Sequence, residues 1–341
     1  MTIFDNVRIN KKTRRKNDYE RSLWRRSVIR KPVAGNDKYV KIAMILEHIF
    51  IGCGIPEYLH SKSNRVFSQH QRIAMLVLCE FIGKSQRDFC EILPTYRGFC
   101  DVLGIVNIPH HTTVCKFAKL VRKDDLLKIV GYFGTLCASG LVLAVDGTAL
   151  SDHDRSGHYE RRLNDFGKTV TRTFTKVSLA ADTDTLLVLA CEVSEGHVHD
   201  MMHVDSLLDQ LVDADLDVDY LVADKGYDSE PFHKNVKARL KAKAIIPARK
   251  NTPKRCTEMY RTTGKHRSEM KRTLFKCTIV QWIYQLRPLI ECINSMIKRK
   301  LGSHMRAKSP ESRVNRAICK IIAHNINRVL DLKLVRSILE V

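Results

Sequence analysis

From Lys38 onward apolar residues recur three and four apart in KYVKIAMILEHIF, HQRIAMLVLCEF, QRDFCEIL and a segment around VCKFAKLV. That spacing lays an apolar stripe along a helix. Ser68 and Ser85 stand as caps before the second and third segments, and Thr112 or Thr113 before the fourth. The stretch to about Lys123 reads as an all-helical module. At Leu141 the texture changes to short β-rich runs, LVLAVD, TFTKVSLAAD, LLVLACEV, DYLVAD and AKAIIPA. Helical MHVDSLLDQLV and a helix near FHKNVKARL fall between them. Strands interleaved with helices in this order make a mixed α/β sheet covered by helices. Two more helical segments follow, around Leu289 to Arg299 and Pro310 to Leu330, and no internal repeat is visible.

Charge changes the picture. Lysine and arginine total 58 against 37 acidic residues, a formal charge of +21, which favours a polyanionic partner, nucleic acid first. A solvated basic surface gives the same total, so distribution decides. Eleven basic residues lie between Arg8 and Lys31 against Asp18 and Glu20, and fourteen between Lys237 and Lys276 against Glu258 and Glu269. Residues 1–36 therefore read as a basic, flexible or partly helical arm, and 37–125 as a helical region. A mixed-sheet domain spans 138–330, with a basic insertion at about 249–276. Short helices in a basic chain suit a helix-turn-helix whose last helix enters the major groove, although bundles that bind nothing are commoner. No run approaches the roughly 18 apolar residues of a membrane span. The charged N-terminus lacks the apolar segment of an export signal, so a cytoplasmic location is expected. Eleven cysteines without a C-x-x-C pair read as buried reduced thiols.

Asp146 closes LVLAVD before Gly147, and Asp224 closes YLVAD before Lys225 and Gly226. Acids at the carboxyl ends of strands can face a common site; Asp before Gly is also ordinary turn chemistry. Phosphoryl transfer with two metal ions about 4 Å apart needs a further carboxylate. Glu291 offers one. On a continuous helix Tyr284, Arg287 and Lys298 share a stripe with it, so acid and cations stand together, as they also do in a routine surface ion pair. If the helix instead starts at Pro288, Tyr284 and Arg287 fall in the turn before it.

Other groups have simpler readings. His197, His199 and His203 are metal-type ligands, but Asp200 fits the cap of the next helix, and exposed or hydrogen-bonded histidines are the commoner case. Asp152 and Asp154 beside His153 read as a loop. His110 and His111 either touch phosphate or form a turn, and Trp282 and Met296 read as core.

Tyr284 to Lys298 follows Tyr-x2-Arg-x3-Glu-x6-Lys, and in this it resembles the DDE transposases of prokaryotic insertion sequences. VDGT around Asp146 and ADKGYDSE around Asp224 are similar to the segments that carry that group's two catalytic aspartates. The segment from Ser85 to Val121 is similar to the helical DNA-binding region that precedes their catalytic domain. The resemblance runs from about residue 68 to residue 330 and departs from the family pattern at Pro288, Ile293 and Asn294. It implies a ribonuclease H-like catalytic domain with Asp146, Asp224 and Glu291 as catalytic and metal-binding residues, using Mg²⁺ or Mn²⁺, two ions per site. It also implies Tyr284, Arg287 and Lys298 on DNA, with element ends and target DNA as partners and a homo-oligomer, a dimer, on DNA. The expected activity is metal-dependent strand cleavage and strand transfer. A transposase-derived DNA-binding protein that no longer cuts is the second reading, against which the intact triad argues. A host ribonuclease H-like nuclease or resolvase without the joining step is the third.

Overall fold

The computed structural model describes residues 37–339 apart from 61, 63–64, 152–164, 166–173, 197, 249–263 and 308. The basic arm, Asp152, His153, Asp154, His197, Cys256 and most of the basic insertion lie outside the described residues.

The predicted helices form where the apolar stripes place them. Helix α1 (Lys38–Gly52) starts at Asp37, whose carboxylate accepts the Tyr39 N–H at 2.9 Å. Helix α2 (Gln69–Ile82) opens on a capping box: Ser68 Oγ accepts the Gln71 N–H, and Gln71 Oε1 accepts the Ser68 N–H. Ser85 caps α3 (Gln86–Ile92). Two helices carried too short an apolar pattern to be anticipated, α4 (Arg97–Val102) and α6 (Lys123–Tyr132). Helix α5 (His111–Leu120) corrects the expected cap, because its first turn already contains Thr112 and Thr113, and Nδ1 of His110 accepts the Thr112 N–H. His110 thus forms the turn that starts α5.

The sheet has strand order β3-β2-β1-β4-β5. Strands β1 (Leu141–Ser151), β2 (Phe174–Asp182) and β3 (Val188–Glu195) form an antiparallel meander. β4 (Val218–Ala223) and β5 (Lys243–Ile245) run parallel to β1. Helix α7 (Val204–Asp213) joins β3 to β4, and α8 (Glu230–Leu240) joins β4 to β5, the crossovers that parallel strands require. This is the ribonuclease H-like mixed sheet flanked by helices that the resemblance implies. After α9 (Lys265–Lys276) and α10 (Thr278–Tyr284) come α11 (Leu289–Leu301), α12 (Pro310–Asp331) and α13 (Val335–Leu339).

Helix α12 ties the helical region to the sheet. It packs on α2, α5, α6 and β3, and Ile318, Ile322, Ile326 and Val329 have no exposure. The Asn325 amide brackets Val188, accepting its N–H at 2.9 Å and donating to its carbonyl at 2.7 Å. A side chain thus takes the place of a neighbouring strand at the sheet edge. Asn315 donates to the carbonyls of Ala118 and Val121. Between α2 and α12 the buried carboxylate of Glu80 is paired with Arg316 and, at 3.2 Å, with Lys320.

Cys79, Cys100, Cys191 and Cys319 are buried free thiols, as expected, but Cys115 and Cys292 are exposed. Trp282 also corrects its reading as core. It is 63% exposed, with Ile279 at 64%, because Val280 and Ile283 are the α10 positions turned inward. No helix among the described residues is long and apolar enough to cross a membrane.

Candidate active site

Asp146 and Asp224 come together through strand register. The parallel pairing of β1 with β4 ends at Val145 and Ala223, so the two aspartates stand one step beyond, side by side on one face. β1 does not end there, as the sequence suggested. Its pairing with β2 continues to Ser151 opposite Phe174, because the antiparallel neighbour keeps supplying backbone partners after the parallel one has turned away. Asp146 therefore lies mid-strand at the mouth of the crevice that β4 opens by stopping. Asp224 begins the 3-10 turn Lys225–Tyr227.

Glu291 lies in the first turn of α11, which follows α10 only after a break. The single continuous stripe is thus not what forms; the start at Pro288 is. Proline has no N–H and its ring crowds the carbonyl four residues back. The Tyr284 carbonyl accepts from Arg287 N–H at 3.1 Å instead, and Glu291 N–H bonds the Pro288 carbonyl at 3.0 Å. Bonds spanning three residues nearly eclipse positions three apart, so Tyr284 and Arg287 keep a common side without an α-helix. Arg287 Nη1 donates to Glu291 Oε1. Lys298 is half-buried farther along α11.

The charges converge. Burial holds the Asp146 carboxyl above the usual aspartate range; Asp200 and Glu291 push it the same way, while the Gly147 N–H and Arg287 oppose. Burial also pushes the Tyr284 phenol up, with Asp224 adding to the effect and Arg287 opposing it. One guanidinium thus serves several acids in a site that carries more negative than positive charge. Among the described residues no group of three or more His, Cys, Asp and Glu side chains is spaced to hold a metal ion; Glu291 is engaged with Arg287. The all-oxygen donor set of Asp146, Asp224 and Glu291 nevertheless suits a hard divalent cation.

Two nearby groups were missed by sequence reasoning. Asp200 heads a separate 3-10 turn, Asp200–Met202, capped by His199 Nδ1, and α7 starts only at Val204. Its reading as the cap of that helix is corrected, since His203 holds the N-cap position of α7, without a side-chain cap bond. Tyr227, within ADKGYDSE, is 2% exposed. Nothing in the local pattern marks either residue, because each reaches the site through a turn rather than a periodic face. His203 is no free ligand either: its Nδ1 is hydrogen-bonded to Ser178 Oγ at 2.8 Å.

In the basic segment two arginines are already engaged. Arg239 pairs with Asp205 and Asp209, and Arg267 clasps both oxygens of buried Asp228, at 2.8 and 2.5 Å. Lys237, Lys241 and Lys243 remain exposed beside α8 and β5.

A comparison with curated proteins finds no match. The family model described as transposase DDE domain matches residues 138–326.

Proposed function

The chain belongs to the transposase DDE domain family, and from that premise we propose that it cleaves DNA at the ends of an insertion sequence and joins the freed ends to target DNA. The observation that carries this reading is the register that sets Asp146 beside Asp224, with Glu291 near enough for its charge to act on Asp146. In this reading the three carboxylates hold Mg²⁺ or Mn²⁺, two ions per site. Bound there, the ions supply Lewis acidity for the attacking and leaving oxygens.

The chain's own residues do the rest. Arg287, mostly buried and with Nε unpartnered, grips a phosphate oxygen near the scissile bond, and Lys298 holds a second phosphate. Tyr284 orients the sugar or a flanking base. Water first opens the bond between phosphorus and the 3′ oxygen, leaving a 3′-hydroxyl on the element. That hydroxyl then attacks a target phosphate, and a target 3′ oxygen leaves with the proton. One bond to phosphorus forms as one breaks, so the joining step needs no external energy source. The helical region 37–125 and the exposed lysines carry duplex affinity, and the protein works as a dimer that brings two ends together.

The test is cleavage and joining of labelled duplexes bearing the DNA that flanks this gene, with Mg²⁺ or Ca²⁺, for the protein and its Glu291→Gln variant. Mg²⁺-dependent nicks and joined products that the variant lacks are expected. Tight binding without cutting would instead identify a DNA-binding descendant.

A further inference from the structure

Helix α8, the edge strand β5 and α9 border a cavity of about 360 Å³, at the small end of ligand pockets. Lys237, Lys241 and Lys243 line it and are exposed, whereas His233, which also lines it, is 5% exposed. The lysines thus stand at the mouth and the imidazole at the floor. Among the described residues no ion pair holds any of the three lysines, although neighbouring Arg239 and Arg267 are paired. A helix C-terminus favours cations, but Lys241 is held at the end of α8 in the left-handed region, φ 56°, where glycine fits without strain. Two acids also line the cavity. Asp219 leans away: a Cβ on Gly140 would meet its Oδ2 at 3.0 Å, and Gly140 precedes β1, on the other side of β4 from β5. That leaves Glu269 against three lysines.

His233 supplies an independent observation. Its Nε2 is buried with no hydrogen-bond partner among the described residues. Asp228 stays 4.0 Å away, and Arg267 occupies both oxygens of that acid. An unpaired buried ring nitrogen is costly, and an acceptor bound in the cavity relieves it. We propose that the cavity is a phosphate-binding site: Lys237, Lys241 and Lys243 draw a phosphate group to the mouth, and His233 donates to it from Nε2. Phosphate oxygens suit this mixture of cations and an N–H donor. Lys243 pairs with Tyr220 across β5 and β4, four residues before Asp224, so the mouth lies roughly 13 Å along the strand from Asp224 and takes a phosphate other than the scissile one. With DNA as the source of that phosphate, the inference rests on the proposed function and deepens it; free phosphate is the other source.

The test follows histidine ring signals of the whole chain by NMR as chloride is exchanged for inorganic phosphate at constant ionic strength, with the His233 and His266 signals assigned by substitution. Both rings line the cavity, so both should shift saturably, and His266 reports binding when His233 is changed. His233→Met should weaken phosphate binding about tenfold, and Lys241→Gln combined with Lys243→Gln should weaken it similarly. His233→Gln keeps an N–H donor and should restore most of the affinity, a rescue that a merely structural role would not produce if both His233 variants melt alike. Duplex DNA separates the two sources. Duplex that moves the same signals and binds His233→Met severalfold more weakly identifies the backbone as the source; duplex bound with both signals unmoved assigns the site to free phosphate. Rings that phosphate does not shift, or a phosphate affinity that His233→Met and the lysine changes leave unaltered, would overturn the inference. Cleavage compared with Glu291→Gln decides the proposed function separately.

Discussion

Arg287 and Glu291, one turn apart across the Pro288 break, form an ion pair whose guanidinium also acts on Asp146. In the absence of DNA, Arg287 is therefore the cation that a divalent ion must compete with. Arg287→Gln should tighten Mn²⁺ binding in DNA-free protein. Because the Glu291 side chain is 57% exposed, solvent limits the gain to about 1 kcal/mol, roughly fivefold. Single-turnover DNA cleavage should fall at the same time, since a phosphate loses a forked donor. Weaker Mn²⁺ binding in the variant would show that Arg287 helps to assemble the carboxylates rather than occupying them.

Glu80 carries the junction between the helical region and α12. Burial works against its charge, but Arg316 and Lys320 outweigh burial and hold the carboxyl below its usual range. Glu80→Gln leaves two buried cations short of their partner and should destabilise the fold by about 3–5 kcal/mol, read by urea denaturation at neutral pH. A depressed carboxyl adds stability above its unfolded value and loses it as pH falls through the folded one. The gap between wild type and variant should accordingly narrow in acid; a gap that is constant down to pH about 3 would mean that shape, not charge, holds the junction.

His324 on α12 is neutral where an ordinary histidine titrates. Burial drives its pKa down from 6.5 to about 4, helped by Arg328 and Lys300, although its hydrogen bond to the Leu186 carbonyl at 3.0 Å opposes the shift. Between those values the unfolded chain binds a proton that the folded chain refuses, so stability falls as pH drops from 6.5 towards 4. The loss from this group is on the order of 3 kcal/mol. Denaturation midpoints over that range should drop more in wild type than in His324→Gln; parallel curves would rule His324 out as the cause.

Much of this molecule is legible in its periodicity. The Ser68 and Ser85 caps, the long α12 and the order of strands follow from spacing and turn chemistry, because each depends on residues close in sequence. What escaped depends on partners far away. β1 runs past Asp146 because β2 continues beside it; Asp200 lies against Gly147 and pairs with Lys176 of β2; Trp282 is exposed because Val280 and Ile283 are the α10 positions turned inward. His110 and His199 escaped for a chemical reason, since ring nitrogens cap their turns where a hydroxyl or carboxylate is the usual signal. The Tyr-x2-Arg-x3-Glu-x6-Lys pattern is visible as spacing, while the Pro288 break inside it is visible only as an alternative.

Basic residues between 237 and 276 do not all have the same work. Lys237, Lys241 and Lys243 are exposed, whereas Arg239 and Arg267 are held by Asp205, Asp209 and Asp228. Backbone contacts release counterions, so each phosphate contact removed lowers the slope of log affinity against log salt by about 0.9. Changing the three lysines together to glutamine should flatten that slope by up to roughly 3 and weaken unrelated duplexes alike, because phosphate contacts carry no base sequence. Arg239→Gln or Arg267→Gln should lower the melting temperature and leave the slope near its wild-type value. Duplex titrations at several salt concentrations separate the two groups. A selective loss for one sequence in the lysine variant would mean that this surface reads bases, and would move sequence recognition out of the helical region to the edge of the sheet.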